Sequence, residues 1–198
     1  MWRLLITGGY TMFPLLVCSV LILSVIIEKI ITLRTEKVIP TRVISEIEHN
    51  PVNADNIMKL CNTYTSSFAA IIKTVLINRG FSKSTNQENA QIEGKMQLQN
   101  MEKGLVVLEV IAAVAPLLGL LGTVLGLVDV FHVVAKVGVG QTSAFSSGIA
   151  KALVTTVVGL IIAIPALIAY RYFSKKIDSL ILVMEKEVSG LINRLYNS

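Results

Sequence analysis

Two apolar stretches of this chain carry small and hydroxyl-bearing residues that a simple lipid anchor does not need. The first, APLLGLLGTVLG at residues 115–126, holds three glycines and a threonine. The second, KALVTTVVGLIIAIP at residues 151–165, holds two threonines, a glycine and a proline. Within a membrane such residues support close helix contacts or line a polar path. Two such stretches in one small protein therefore indicate a polar path through the membrane.

The spacing of these residues places them on helix faces. Small or hydroxyl residues recur at helical intervals in the first stretch, at Gly119, Gly122, Thr123 and Gly126. In the second stretch Ala152, Thr156, Gly159 and Ala163 share a face, with Thr155 beside it. Pro116 and Pro165 each remove a backbone N–H and can kink their helix. Dense helix packing is the alternative explanation for such a pattern.

The threonines can be placed at a common depth. If the chain turns near residue 141, Thr123 and Thr156 lie 18 and 15 residues from the turn, so antiparallel helices bring both hydroxyls to a similar level. A single threonine can instead bond a carbonyl of its own helix. Two or three hydroxyls at one level, with Thr155 included, predict a polar collar.

Composition and hydropathy predict an all-α integral membrane protein. Of 198 residues, 53% are hydrophobic and 16% are charged. Uncharged runs cover residues 4–27, 110–128 and 152–170, and at ~1.5 Å per residue even the shorter runs cross one hydrocarbon core. We therefore expect three transmembrane helices. A cleaved signal peptide is the competing interpretation of the first run, but its basic residues follow the run instead of preceding it.

The basic residues predict the orientation, with the N-terminus periplasmic and the C-terminus cytoplasmic. One of them precedes the first span, and one lies in the loop after the second. A larger group flanks the long central connection or follows the third span. Its members are Lys29, Arg34, Lys37, Lys95, Lys103, Arg171, Lys175 and Lys176. Because they lie beside the spans and not on one folded face, we expect no nucleic-acid partner despite a net charge of +5.

These patterns divide the chain into six segments. Residues 1–27 form the periplasmic N-terminus and first transmembrane helix, and residues 28–104 a cytoplasmic helical domain. Residues 105–135 form the second transmembrane helix, 136–147 a periplasmic loop and 148–173 the third transmembrane helix. Residues 174–198 form a cytoplasmic C-terminal helix. Inside the central domain, Gly80 to Asn86 is predicted as a turn or linker, with Thr85 and Glu88 forming a capping box.

Four ionisable residues lie near the ends of the second and third spans. Asp129 and Lys151 are both expected near the outer end of the hairpin, where a partly buried ion pair and independent contact with the interface are equally good interpretations. Glu109 near the inner end and His132 near the outer end are secondary candidates, because interfacial solvation explains both. Cys18 in the first span and Cys61 in the central domain cannot meet, so no disulfide is expected.

The run APLLGLLGTVLG, the segment GIAKALVTTVVGL and the run AIPALIAY together resemble the signature of the MotA/TolQ/ExbB proton-channel family. Chain length and three spans resemble its ExbB/TolQ branch, whereas the flagellar branch usually has four spans. The resemblance implies an inner-membrane stator in which five copies form a ring around a dimer of a single-span ExbD/TolR-like partner. Proton flow would then drive work on a TonB/TolA-like protein that crosses the periplasm. It also implies that Thr123 and Thr156 belong to the polar ring, and this chain carries Lys151 where several members have a glutamate.

The two later spans contain no group that titrates near neutral pH. Residues 110–128 and 152–170 lack Asp, Glu and His, so a proton relay at that depth needs a carboxylate from another chain. We expect no enzyme activity, no cofactor and no metal, because the sequence has no nucleophile–base pair, phosphate loop or metal-ligand spacing. Membrane lipids and further copies of the chain complete the expected partners. The alternative function is a non-conducting oligomeric membrane scaffold.

Overall fold

The computed structural model describes residues 11–48, 53–137 and 142–197, and all its regular elements there are helical. The first 10 residues of the predicted periplasmic N-terminus and the middle of the predicted periplasmic loop lie outside these ranges. The helices are α1 (Met12–Thr32), α2 (Thr35–Val38), α3 (Thr41–Glu48), α4 (Ala54–Thr63), α5 (Ser67–Ile77), α6 (Lys83–Glu102), α7 (Leu105–Val137) and α8 (Thr142–Tyr196). A 3₁₀ turn, Asn78–Gly80, follows α5.

Three of these helices are long and apolar enough to cross a membrane. The candidate spans are Met12–Thr32, Leu105–His132 and Gly148–Tyr196, with a mean hydropathy of 2.4 to 2.5 in their most apolar windows. Their outward side chains are mostly large and apolar, as Phe131 on α7 and Ile168 on α8 illustrate at 64% and 65% exposure. Such surfaces suit lipid or neighbouring helices. Within the described residues the prediction of an all-helical protein with three helices able to cross a membrane is confirmed.

The chain divides into two compact units, each built from separate parts of the sequence. The first comprises residues 1–27 and 104–171, and the second comprises residues 28–103 and 172–198. The first unit holds the apolar parts of α1 and α8 together with α7. The second holds α2 to α6 and the end of α8. These divisions fall within two residues of the predicted ends of the polar central and C-terminal segments.

Helix ends differ from the predicted ones where no residue stops a helix. The helix α7 continues to Val137, past the predicted end at 135, and α8 begins at Thr142 instead of 148. The segment predicted as a separate C-terminal helix from residue 174 is part of α8, because Tyr172 to Ile177 contain no proline or glycine. Between α6 and α7, Gly104 adopts a φ of 86°, a conformation that favours glycine.

The predicted turn from Gly80 to Asn86 is too long. Helix α6 already begins at Lys83, because the Ser82 hydroxyl accepts a hydrogen bond from the Thr85 N–H at 3.2 Å and caps the helix. Thr85 is therefore inside the helix, and its assignment as the capping residue is wrong. The Asn86 side chain is fully buried; its amide donates to the Val75 carbonyl at 3.0 Å and to the Tyr196 hydroxyl at 3.1 Å.

The second unit has its own apolar core. Helices α4 and α5 bury one stripe, and the end of α8 buries another with a three-to-four residue spacing. The fully buried members include Ile57, Phe68, Ile72, Ile177, Met184 and Leu191. Lys29, near the end of α1, is also buried, and its ammonium group donates a hydrogen bond to the Met101 carbonyl at 3.0 Å, in the last turn of α6. A cation there also interacts favourably with the negative, C-terminal end of the α6 dipole.

Candidate functional site

The site lies in the first unit, where α7 and α8 pack backbone to backbone. A β-carbon built on Gly119 would lie 2.9 Å from the Thr155 carbonyl oxygen and 2.9 Å from the Thr156 Cα. One built on Gly126 would lie 2.8 Å from the Ala152 β-carbon. Real β-carbons do not come this close to backbone atoms, so the glycines allow the helices to touch. The small residues of both helices thus meet within one chain.

The hydroxyls of Thr155 and Thr156 converge on one backbone atom of the opposite helix. The Thr156 Oγ1 donates to the Gly119 carbonyl oxygen at 3.1 Å, and the Thr155 Oγ1 lies 3.2 Å from the same oxygen. The Thr155 Oγ1 is also 2.7 Å from the Ala152 carbonyl oxygen of its own helix. Thr155 is 1% exposed, while Thr156 is half-buried and reaches the surface of the hairpin.

Thr123 lies near the contact between Thr156 and Gly119, but its hydroxyl uses a different acceptor. Its hydroxyl donates to the Leu120 carbonyl of its own helix at 2.6 Å, and the residue is half-buried. Thr123 follows Gly119 by four residues, so it lies about one helical turn, roughly 5 to 6 Å, farther along α7. The structure therefore brings Thr155 and Thr156 together at Gly119 and leaves the Thr123 hydroxyl on its own backbone.

A third threonine, Thr11, joins the group at Gly122. A β-carbon on Gly122 would lie 2.7 Å from the Thr11 Oγ1 and 2.5 Å from the Thr155 Oγ1. Because Gly122 has no side chain, these two hydroxyl oxygens can lie directly against its backbone. Sequence reasoning missed Thr11 because it considered hydroxyl residues only in the second and third apolar runs, whereas Thr11 belongs to the first. The Gly119 carbonyl was missed for another reason: a backbone acceptor carries no sequence signal.

The two prolines lie inside helices, as their positions in the sequence require. Pro116 on α7 is half-buried, and Pro165 on α8 is exposed. Each lacks an N–H and so deprives the carbonyl four residues earlier of its helical partner. Pro116 lies one helical turn or less from both Ala115 and Gly119, which places a weakened stretch of α7 beside the threonine contact.

The charged candidates lie apart from the threonines. Glu109, Asp129 and His132 are exposed on α7. The side chain of Lys151 is outside the described part of the structure, so its predicted pairing with Asp129 stays a prediction. Among the described residues, no group of three or more His, Cys, Asp or Glu side chains could hold a metal. What the site offers is hydroxyl donors and backbone carbonyls within an apolar hairpin.

Comparison with known proteins identifies the family. Residues 62–186, more than half of the chain, match the model of the MotA/TolQ/ExbB proton channel family. The chain is 30% identical over 164 residues to biopolymer transport protein exbB1 of Vibrio cholerae, an alignment that covers 80% of this chain and 72% of that protein. It is 36% identical over 120 residues to biopolymer transport protein ExbB of Aquifex aeolicus, covering 60% and 79% of the two chains.

A relative from the Tol system also matches. The Tol-Pal system protein TolQ of Pseudomonas aeruginosa is 39% identical over 83 residues, which cover 42% of this chain and 36% of TolQ. The family match includes both glycine–threonine stretches, the whole of α7 and most of α8. This membrane protein belongs to the ExbB/TolQ branch of the MotA/TolQ/ExbB proton channel family.

Proposed function

We propose that this chain is the channel-forming stator subunit of an inner-membrane complex that couples the proton motive force to mechanical work. Five copies form a ring, with α7 and the apolar part of α8 inside and α1 on the lipid side. The N-terminus is periplasmic and the C-terminus is cytoplasmic. The partner is a dimer of a single-span, ExbD/TolR-like protein, and the work is done on a TonB/TolA-like protein for energised uptake or envelope maintenance.

The observation that carries this proposal is the half-buried Thr156 hydroxyl on the hairpin. It lies in a stretch with no group that titrates near neutral pH, and Thr155 and Thr123 add two more hydroxyls within about one helical turn. Hydroxyls solvate an ion or an acid without themselves titrating. An Asp on the partner helix would supply the titrating carboxylate, and the threonines would maintain a short water path beside it.

Proton flux in reconstituted vesicles tests this assignment of roles. We expect negligible flux from the purified chain alone, because nothing at mid-membrane depth carries a proton. Flux should appear with the Asp-bearing partner and should be lost when that Asp becomes Asn. A robust proton current from the chain alone would contradict the proposal. Native mass spectrometry in mild detergent tests the ring, and finding only monomers would contradict the oligomer.

A non-conducting scaffold is the second candidate, and one observation favours it. Gly119, Gly126 and Gly159 are each in close contact with the facing helix of the same chain, so packing alone accounts for these glycines. The two functions differ in what they ask of the hydroxyls. Replacing Thr123 and Thr156 by valine keeps the side-chain volume and removes the hydroxyls; a scaffold tolerates this change, and a channel loses its flux.

A further inference from the structure

The Gly119 carbonyl is unusual because two threonine hydroxyls, those of Thr155 and Thr156, lie within hydrogen-bond distance of it. Each threonine hydroxyl has one proton, so Thr155 can donate either to the Ala152 carbonyl at 2.7 Å or to the Gly119 carbonyl at 3.2 Å, but not fully to both. The shorter distance favours Ala152. The Gly119 carbonyl then receives the proton of Thr156, and Thr155 remains a second donor within reach of it.

The two threonines differ in what else they can reach. Thr155 is 1% exposed and is enclosed by Gly122, whose missing β-carbon leaves room for its oxygen. Thr156 is half-buried, so of these two threonines it is the one that a group from another chain can reach. If Thr156 donates to such a group, the buried Gly119 carbonyl keeps the helical hydrogen bond from the Thr123 N–H within α7 but loses the donor to its second lone pair, and this loss opposes the change.

We propose that Thr155 is a positioning residue that allows Thr156 to leave the Gly119 carbonyl. When Thr156 donates to a carboxylate outside the hairpin, the Thr155 hydroxyl proton turns from the Ala152 carbonyl to the Gly119 carbonyl and takes its place. This inference rests on the proposed function, which supplies the carboxylate on a partner helix. The exchange needs rotation about the C–O bond of each hydroxyl, and each proton stays on its own oxygen. Both acceptors of Thr155 are already within hydrogen-bond distance.

The exchange has a consequence for the partner's carboxylate. A hydroxyl that donates to a carboxylate stabilises its ionised form and lowers its pKa. The hairpin stretches 110–128 and 152–170 and the apolar part of α1, residues 12–27, contain no Asp, Glu, Lys, Arg or His. Loss of the Thr156 donor therefore moves the pH midpoint of the flux upward.

A matched pair of variants isolates the Thr155 hydroxyl. Thr155→Ser and Thr155→Ala both lose the γ-methyl group and differ only in the hydroxyl. Each is reconstituted with the Asp-bearing partner, and proton flux is measured across a pH series. We expect Thr155→Ser to stay within about twofold of the parent chain, and Thr155→Ala to fall roughly threefold to tenfold, the net contribution of about one hydrogen bond to a neutral carbonyl. The pH midpoint should rise only in Thr155→Ala.

Thr156→Ala separates this inference from the proposed function. If Thr156→Ala changes neither the flux nor its pH midpoint, the proposed function fails. If Thr156→Ala changes both but Thr155→Ala behaves like Thr155→Ser, the role of Thr155 is overturned and the proposed function stands. If Thr155→Ser and Thr155→Ala lose the same amount of flux and neither shifts the pH midpoint, Thr155 acts through packing, and its role as a positioning residue is again overturned. Assembly with the partner is measured throughout, and Thr155→Val, which keeps the side-chain volume, replaces Thr155→Ala if alanine does not assemble.

Discussion

Gly159 on α8 lies so close to Ala115 on α7 that a β-carbon at Gly159 would be 2.5 Å from the Ala115 carbonyl oxygen. Ala115 is fully buried, and the atom in the way belongs to the backbone, so no side chain can move aside. A single added methyl group must separate the two helices. Because the Gly119 carbonyl and the Thr156 hydroxyl meet next to this point, separation also breaks the polar contact.

We therefore expect Gly159→Ala to destabilise the hairpin by about 1 to 3 kcal/mol, as overpacking of a dense interior does. The measurement is thermal unfolding in mild detergent, together with proton flux in the presence of the partner. Gly190→Ala is the matched control on the same helix, because a β-carbon there has open space within 4 Å. The control should be neutral or slightly stabilising. Equal melting temperatures for both variants would contradict the close contact.

Lys29 offers a second test, in the other unit. Its buried ammonium donates to the Met101 carbonyl, so Lys29→Met leaves that carbonyl without the charged donor and should cost about 1.5 to 3 kcal/mol of unfolding free energy. Lys176→Met is the control, because Lys176 donates to the Thr35 hydroxyl at an exposed position. We expect the control to change stability by less than about 0.5 kcal/mol. Equal effects would show that burial at Lys29 contributes nothing.

Cysteine labelling tests the predicted orientation. Cysteines introduced at Gly8 and Gly140 should react with a membrane-impermeant reagent from the periplasmic side, and cysteines at Ser82 and Asn193 should not. The reverse pattern would overturn the orientation.

The native Cys61 should react only slowly with the reagent in these labelling experiments. Burial raises the pKa of its thiol to about 11, with Lys73 acting in the opposite direction, so at pH 8 about one thousandth is thiolate. Because the pKa is raised in the folded protein, the stability it represents is present below the ordinary thiol pKa of about 8.5 and is lost as pH rises through about 11. Rapid alkylation of Cys61 in the folded protein at pH 8 would contradict its burial.

The outer charges give a further prediction. If Asp129 and Lys151 interact, Lys151→Met alone should reduce assembly or flux more than Lys151→Met combined with Asp129→Asn, because the single change leaves one charge unpaired. The measurement is a double-mutant cycle on assembly and flux. Strictly additive effects would mean that the two residues do not communicate.

Hydropathy was enough to predict three candidate spans, because lipid imposes long apolar runs. The family was predicted from the resemblance of three motifs in the second and third spans to its signature. The sequence could not predict which acceptor each hydroxyl uses. Thr123 bonds its own helix while Thr156 crosses to Gly119, and this difference depends on how the two helices are rotated about their axes. The start of α6 at Lys83 was predicted too late, because Ser82 caps that helix. The end of α7 at Val137 was predicted too early, because no helix breaker precedes it.

The contact between Asn86 and Tyr196 constrains the order in which the second unit can be completed during synthesis. These residues are 110 positions apart, and the Tyr196 hydroxyl also reaches the Phe81 carbonyl at 2.9 Å. While a ribosome is still adding residues 104–171, the buried Asn86 amide must remain without its tyrosine partner. At about 5 to 20 residues per second, 110 residues take roughly 5 to 20 seconds. During this interval the half-built unit exposes apolar surface, which makes it a natural substrate for chaperones.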